Sequence, residues 1–164
     1  MTKLIKSKFR VKSFGEVFTG EKEINAMLDL IPVEVFENPL STWLEPACGN
    51  GNFFIEIIKR KIAFYDIAKG DKDIYVLKIL SSLYGFDIQQ DNINECITRL
   101  LLYIDLHIAT KRKDCFIKLA EAILNDNIQK ADFINDLLII TVYTWNENNT
   151  YTIHLETLNS KDSI

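Results

Sequence analysis

The chain has 164 residues, 48% hydrophobic and 26% charged, with a formal net charge of −4. These proportions suit one soluble globular domain with a sizeable core, and no apolar run reaches the roughly 18–20 residues of a membrane helix. The basic N-terminus lacks the apolar core of a secretory signal, so a cytoplasmic protein with no membrane partner is expected.

Residues 1–14 read as an extended basic arm. It carries Lys3, Lys6, Lys8, Arg10 and Lys12 without an acid, leaving −9 on the remainder of the chain. That balance excludes a general nucleic-acid-coating protein. The arm can still touch phosphates, or remain a solvated, frayed terminus. After the break at Gly15, Thr19 caps a helix from about Glu21, in which Ile24, Met27, Leu28 and Ile31 recur at helical spacing until Pro32. Residues 33–40 form a proline-containing connection. A β-prone run (41–44) then leads through a glycine turn into an amphipathic helix ending near 62. A loop (63–72), a short helix (74–81) and a strand (83–88) follow. The next helix runs from 93 to about 111 with Ile93, Ile97, Leu100, Leu101, Ile104 and Ile108 along one side. Lys111, Arg112 and Lys113 close it as a solvated cluster that favours the negative helix end. A helix (115–124), a turn at Asn125-Asp126-Asn127 and a strand (128–131) come next. A turn at 134–136 precedes a hairpin, 137–145 with 150–155, around Asn146-Glu147-Asn148-Asn149. Residues 159–164 read as a frayed tail, leaving 15–158 as the domain.

Cys48, Cys96 and Cys115 lack C-x-x-C spacing, so neither a disulfide framework nor a zinc site is indicated. His107, in an apolar helical stretch, reads as a packed imidazole. No metal ligands are assigned.

The stretch Leu44-Glu45-Pro46-Ala47-Cys48-Gly49-Asn50-Gly51-Asn52-Phe53 organises the rest. Two glycines two apart permit positive φ and let a ligand approach main-chain atoms. The helix that follows offers unpaired N–H groups and a partial positive charge. Open α/β sheets bind nucleotides at such a place, outside the carboxyl end of a strand. Asp87 stands at the end of the second strand, where a carboxylate can accept from a ribose diol or cap the following helix. Cys48 has no evident neighbouring base and reads as a small packing residue rather than a nucleophile.

E-P-A-C-G-N-G-N-F resembles the S-adenosylmethionine (SAM) loop of adenine-specific DNA methyltransferases from restriction–modification systems. Three more stretches fall in the order of that family. Gly15-Glu16-Val17-Phe18-Thr19 is similar to its N-terminal cofactor motif, with Gly20 where a proline is usual. Tyr84-Gly85-Phe86-Asp87-Ile88 is similar to its second strand, and Ala131-Asp132-Phe133 to its third motif. The resemblance implies an α/β, truncated Rossmann-like class I SAM-dependent methyltransferase fold with a C-terminal hairpin. It implies SAM as cofactor, with Phe18, Thr19, Glu45, Ala47, Cys48, Gly49, Asn50, Gly51, Asp87, Ile88, Asp132 and Phe133 as binding residues. In the family, Thr19 would lie near the carboxylate of SAM, Asp132 would accept from the adenine amine and Phe133 would pack on the ring. Thr19 can serve as a helix cap as well.

Methylation of an adenine amine requires a flipped base held against the methyl donor. The family uses an (Asp/Asn/Ser)-Pro-Pro-(Tyr/Phe/Trp) motif after the fourth strand, but prolines here stand only at 32, 39 and 46. No catalytic residue is therefore assigned. The implied function is the SAM-binding portion of such an enzyme, inactive without a partner that supplies the motif. The alternative is a non-enzymatic SAM-binding or interaction module acting on a restriction–modification complex. The family's strand order also leaves one edge of the first strand bare. A second methyltransferase subunit, a further copy of the chain or the hairpin would have to cover it, and DNA would be met only within such a complex.

Overall fold

The computed structural model describes residues 4–66, 69–108 and 113–158. Helices α1 (Lys8–Phe14), α2 (Glu21–Leu28) and α3 (Val33–Glu37) precede strand β1 (Trp43–Glu45). Then come α4 (Asn52–Ala63), α5 (Lys72–Ser81), β2 (Leu83–Asp87), α6 (Gln90–His107), α7 (Lys113–Asn127) and β3 (Ile128–Lys130). Strands β4 (Leu138–Trp145) and β5 (Tyr151–Leu158) end the described chain. The expected tail at 159–164, together with Lys3, Lys111 and Arg112, lies outside the described residues.

The fold is mixed α/β with a small parallel sheet of order β1-β2-β3. Strand β2 is central, and Leu83, Tyr84 and Phe86 are all buried. A continuous apolar run of this kind marks a strand covered on both faces, where an alternating pattern would mark one half in water. Helices α5, α6 and α7 contact it. The core joins Phe54 and Ile58 of α4, Ile79 and Leu80 of α5, Leu100 and Ile104 of α6, and Ile123 and Leu124 of α7. Each stands at the helical spacing that turns an apolar stripe inward.

Three stretches expected to be irregular are helical, one of them the expected turn at 125–127, which forms the last turn of α7. The basic arm contains α1, because Ser7 accepts from the Arg10 N–H at its start and Gly15, at φ 66°, terminates it in the left-handed conformation. The arm is also docked. Lys6 reaches Asp91 and Glu95 at 2.9 and 2.8 Å, and Arg10 pairs with Asp91 and Glu16. The connection at 33–40 contains α3, which opens directly after Pro32. Thr19 does not cap α2; Gly20 occupies the cap position without a side-chain bond.

The hairpin forms a separate two-stranded antiparallel sheet. It packs on α5 and α7, where the Trp145 indole N–H donates to Ser81 Oγ at 2.8 Å and the Tyr84 hydroxyl donates to the Thr141 carbonyl at 3.3 Å. It does not pair with β1, and among the described residues no strand pairs with the outer edge of β1. Beside that edge runs an apolar groove of about 210 Å³, lined in part by Met27, Ile31, Trp43, Leu44 and Phe53. Among the described residues, no helix is long and apolar enough to cross a membrane.

Candidate functional site

The three parallel strands end side by side, and the loops leaving their carboxyl ends enclose a cavity of about 690 Å³. Eleven of the twelve expected binding residues line it: Phe18, Thr19, Glu45, Ala47, Cys48, Gly49, Asn50, Asp87, Ile88, Asp132 and Phe133. Gly51 does not. Its φ of +80° opens α4, and an added Cβ would lie 2.5 Å from Cys96 Sγ. Gly51 is thus required for the close approach of the loop to α6, whereas Gly49 meets the cavity directly.

Gly49 couples the first two strand ends. Its N–H donates to Asp87 Oδ2 at 3.0 Å, and the Cys48 N–H donates to the Phe86 carbonyl at 2.8 Å. At φ +52° it also lies so near Phe18 that a Cβ would stand 3.1 Å from the ring. Asp87 Oδ1 accepts from the Gln89 N–H at 2.8 Å and from Asn92 Nδ2 at 3.2 Å. The carboxylate therefore braces its own turn as well as the glycine loop. An ionised carboxylate has about four acceptor positions, and these donors take three of them.

Asp132 differs from the role its motif implies. Its Oδ1 accepts from the backbone of Ile134 and Asn135, and its Oδ2 from Asn135 Nδ2 at 2.8 Å. The Asn135 amide and these backbone donors hold its carboxyl below the usual range. An incoming amine would share Oδ2 with Asn135. Phe133 packs at 5.8 Å from the Phe86 ring and, with Ile88, supplies an apolar wall. Thr19 contributes its carbonyl, which accepts from Asn52 Nδ2 at 2.9 Å.

Sequence reasoning missed a polar stripe on α6. Arg99 Nη1 donates to the Asn50 carbonyl at 2.6 Å and to Asn52 Oδ1 at 2.8 Å, clamping the loop from outside. Glu95 accepts from Asn50 Nδ2 at 3.1 Å, and Asn92 Nδ2 also reaches Glu16 at 3.0 Å. The signal was Asn92, Glu95 and Arg99 recurring at helical spacing.

Charge in the cavity is one-sided. Glu16, Glu45, Asp87 and Asp132 line it, and among the described residues no lysine, arginine or histidine does. Burial pushes the Glu45 carboxyl up, offset in part by the Ala47 N–H. Arg10 neutralises Glu16 from behind through Oε2, while Glu16 Oε1 and Asn50 Oδ1 are buried without a partner. A hydrogen bond with Cys96 and burial push the Cys48 thiol up, which favours the protonated, packing form. Among the described residues, no three His, Cys, Asp or Glu side chains are grouped to hold a metal ion. The arrangement suits an organic ligand with positive charge and several donors. A polyphosphate would meet these carboxylates with only the partial charge of the α4 start to offset them.

No protein-family model, curated protein or solved structure matches the chain.

Proposed function

We propose that this chain is the SAM-binding portion of an adenine-specific DNA methyltransferase, with a truncated Rossmann-like class I fold. The observation that carries the reading is a cavity at the carboxyl ends of three parallel strands, rich in carboxylates and free of lysine, arginine and histidine among its lining residues. SAM carries a sulfonium, an ammonium and one carboxylate, so its net charge opposes that of the wall. Glu45, which lines the cavity, would face the ammonium, and the Asp87 carboxylate would take the ribose. Ile88 and Phe133 would flank the adenine. The helix start at Asn52 and the backbone near Thr19 would meet the ligand's carboxylate. When bound, SAM supplies an electrophilic methyl group.

Transfer to DNA depends on a second subunit that contributes the absent Pro-Pro motif, seated along the open edge of β1. The apolar groove beside that edge favours this seat, since an unpaired parallel strand exposes both backbone groups and apolar surface. The lack of the motif also supports a second reading, a non-enzymatic SAM-binding or interaction module acting on a restriction–modification complex.

Titration calorimetry with SAM, its demethylated product and ATP tests the cavity. SAM binding should exceed ATP binding by about a hundredfold or more, equivalent to roughly 3 kcal/mol, and Glu45→Gln should weaken SAM selectively. Equal or tighter binding of ATP, or no SAM binding, overturns the assignment. Radiolabelled SAM mixed with adenine-containing DNA should give no methylation with this chain alone. Turnover without a partner would remove the proposed dependence.

A further inference from the structure

The eight residues of β5 pair with β4 along one edge without a bulge, from Tyr151 opposite Trp145 to Leu158 opposite Leu138. Among the described residues, no strand pairs with the other edge. Edge strands are ordinarily guarded by charged side chains, above all lysine, by proline or by a bulge; β5 has no lysine, proline or bulge and a single carboxylate, Glu156.

Its side chains are patterned as though a second cover existed. Tyr151, Ile153 and Leu155 lie opposite Trp145, Tyr143 and Thr141, so they share the face that meets the body of the protein. Only Tyr151 is packed there, against the rings of Tyr143 and Trp145. Ile153 and Leu155 overhang the body and are 53% and 68% exposed. Polar Thr152, His154 and Glu156 take the other face.

The register of a partner strand follows from backbone geometry. The Asn146 N–H donates to the Thr150 carbonyl at 2.9 Å. Antiparallel pairs alternate between bonded and non-bonded, so Ile153, Leu155 and Thr157 turn their N–H and C=O groups to the free edge. A second β5 running antiparallel can join these groups in a few registers. Centring on Ile153 brings together no pair of opposite charge, centring on His154 opposes two histidines, and centring on Glu156 opposes two carboxylates. Centring on Leu155 places each His154, which lies 2.8 Å from Glu156 of its own chain, against the partner's Glu156 as well, Leu155 against the partner's Leu155, and Ile153 against the partner's Thr157. We infer that two copies of this chain associate about a two-fold axis at Leu155, joining their hairpins into one four-stranded antiparallel sheet. The axis lies perpendicular to the sheet, so both bodies stand on the same side and the overhanging Ile153 and Leu155 are enclosed between them. The contact is isologous and closes on itself. It uses β5 and leaves both the β1 edge and the cavity free, so it does not depend on the ligand reading.

Sedimentation equilibrium over a concentration series tests the inference. The chain should sediment as a dimer. Leu155→Glu, which sets two carboxylates on the axis, should raise the dissociation constant at least about tenfold while the melting temperature of the diluted protein stays within a few degrees, because the position is exposed. Each charge substitution enters a two-fold interface twice. His154→Glu should therefore weaken association, and combining it with Glu156→Lys should restore it by reversing the pair. A wild-type chain that remains monomeric at all concentrations overturns the inference. So does a dimer insensitive to Leu155→Glu, or the absence of rescue in the double variant.

Discussion

Replacing Gly51 by alanine separates a packing glycine from a ligand-facing one. Gly51 and Gly15 both have positive φ, +80° and +66°. A side chain in that conformation costs about 1–2 kcal/mol, less roughly 0.4–1 kcal/mol returned because alanine restricts the unfolded chain. The surroundings differ. At Gly15 an added Cβ meets nothing within 4 Å, whereas at Gly51 it would lie 2.5 Å from Cys96 Sγ and 3.5 Å from Cys96 Cα. Cys96 is fully buried on α6, so relief would require moving the helix or the loop. Overpacking of this kind costs about 1–3 kcal/mol. Gly15→Ala should therefore lose about 1 kcal/mol and Gly51→Ala about 2–4 kcal/mol, placing the two melting temperatures on the order of 5 °C apart. Urea unfolding of both variants, repeated in a Cys96→Ala background, measures the clash directly. With the sulfur removed, the Gly51→Ala loss should fall to that of Gly15→Ala, a coupling of about 1–3 kcal/mol. Equal losses at Gly15 and Gly51 in the wild-type background, or strict additivity with Cys96→Ala, would refute the assignment of Gly51 to packing.

Gly49→Ala should act differently, lowering SAM affinity by calorimetry as well as stability, because this glycine lines the cavity and abuts Phe18. Unchanged affinity would contradict its placement at the site. Arg10 and Lys6 hold the Asp91 carboxyl well below the usual range, at about 2. The folded value is below the unfolded one, so this contribution is present above about pH 4 and is lost as pH falls towards 2. Because Asp91 is largely exposed, solvent screening limits the contribution to about 1 kcal/mol or less. In Arg10→Met the Asp91 titration followed by NMR should move upward, and an unmoved titration would count against the docking of α1. Burial pushes Lys61 down to about 7; its ammonium form donates to the carbonyls of Pro39 and Ser41 and to Ser82 Oγ, and the neutral amine, with two N–H groups, keeps two of these three bonds. The unfolded chain then binds more protons above pH 7, so stability should rise with pH by up to about 1.4 kcal/mol per unit. The rise is cleanest between about pH 7 and 8.5, before buried thiol and phenol groups oppose it. Lys61→Met should abolish it, and equal slopes in the two proteins would be evidence against a neutralised buried amine.

Much of the architecture was readable locally. The stripes of α2, α4 and α6 declare helices because side chains three and four apart share a face. The unbroken apolar run of β2 declares a doubly covered strand. Of the cavity residues, the glycine turn after β1 and Asp87 after β2 were legible as strand-end features, where loops converge; the others, Asp132 and Phe133 among them, came from the motif resemblance. Helices α1 and α3 were missed because each has fewer than two full turns of pattern, although Ser7 and Gly15 marked the ends of the first.

Local pattern thus sufficed to name the strands and the long helices, and the motif resemblance added eleven of the twenty residues that line the cavity. It could not reveal that Arg10 meets Asp91, that Arg99 grips the glycine loop, or that Asp132 directs its oxygens into its own turn. Nor could it place the hairpin against α5 and α7 and leave β1 bare. Of the first set, the strands and helices follow from backbone sterics and the periodicity of hydrophobic burial, which act over a few residues. The second depends on how whole elements dock, which is decided by side chains distant in sequence competing for the same partners.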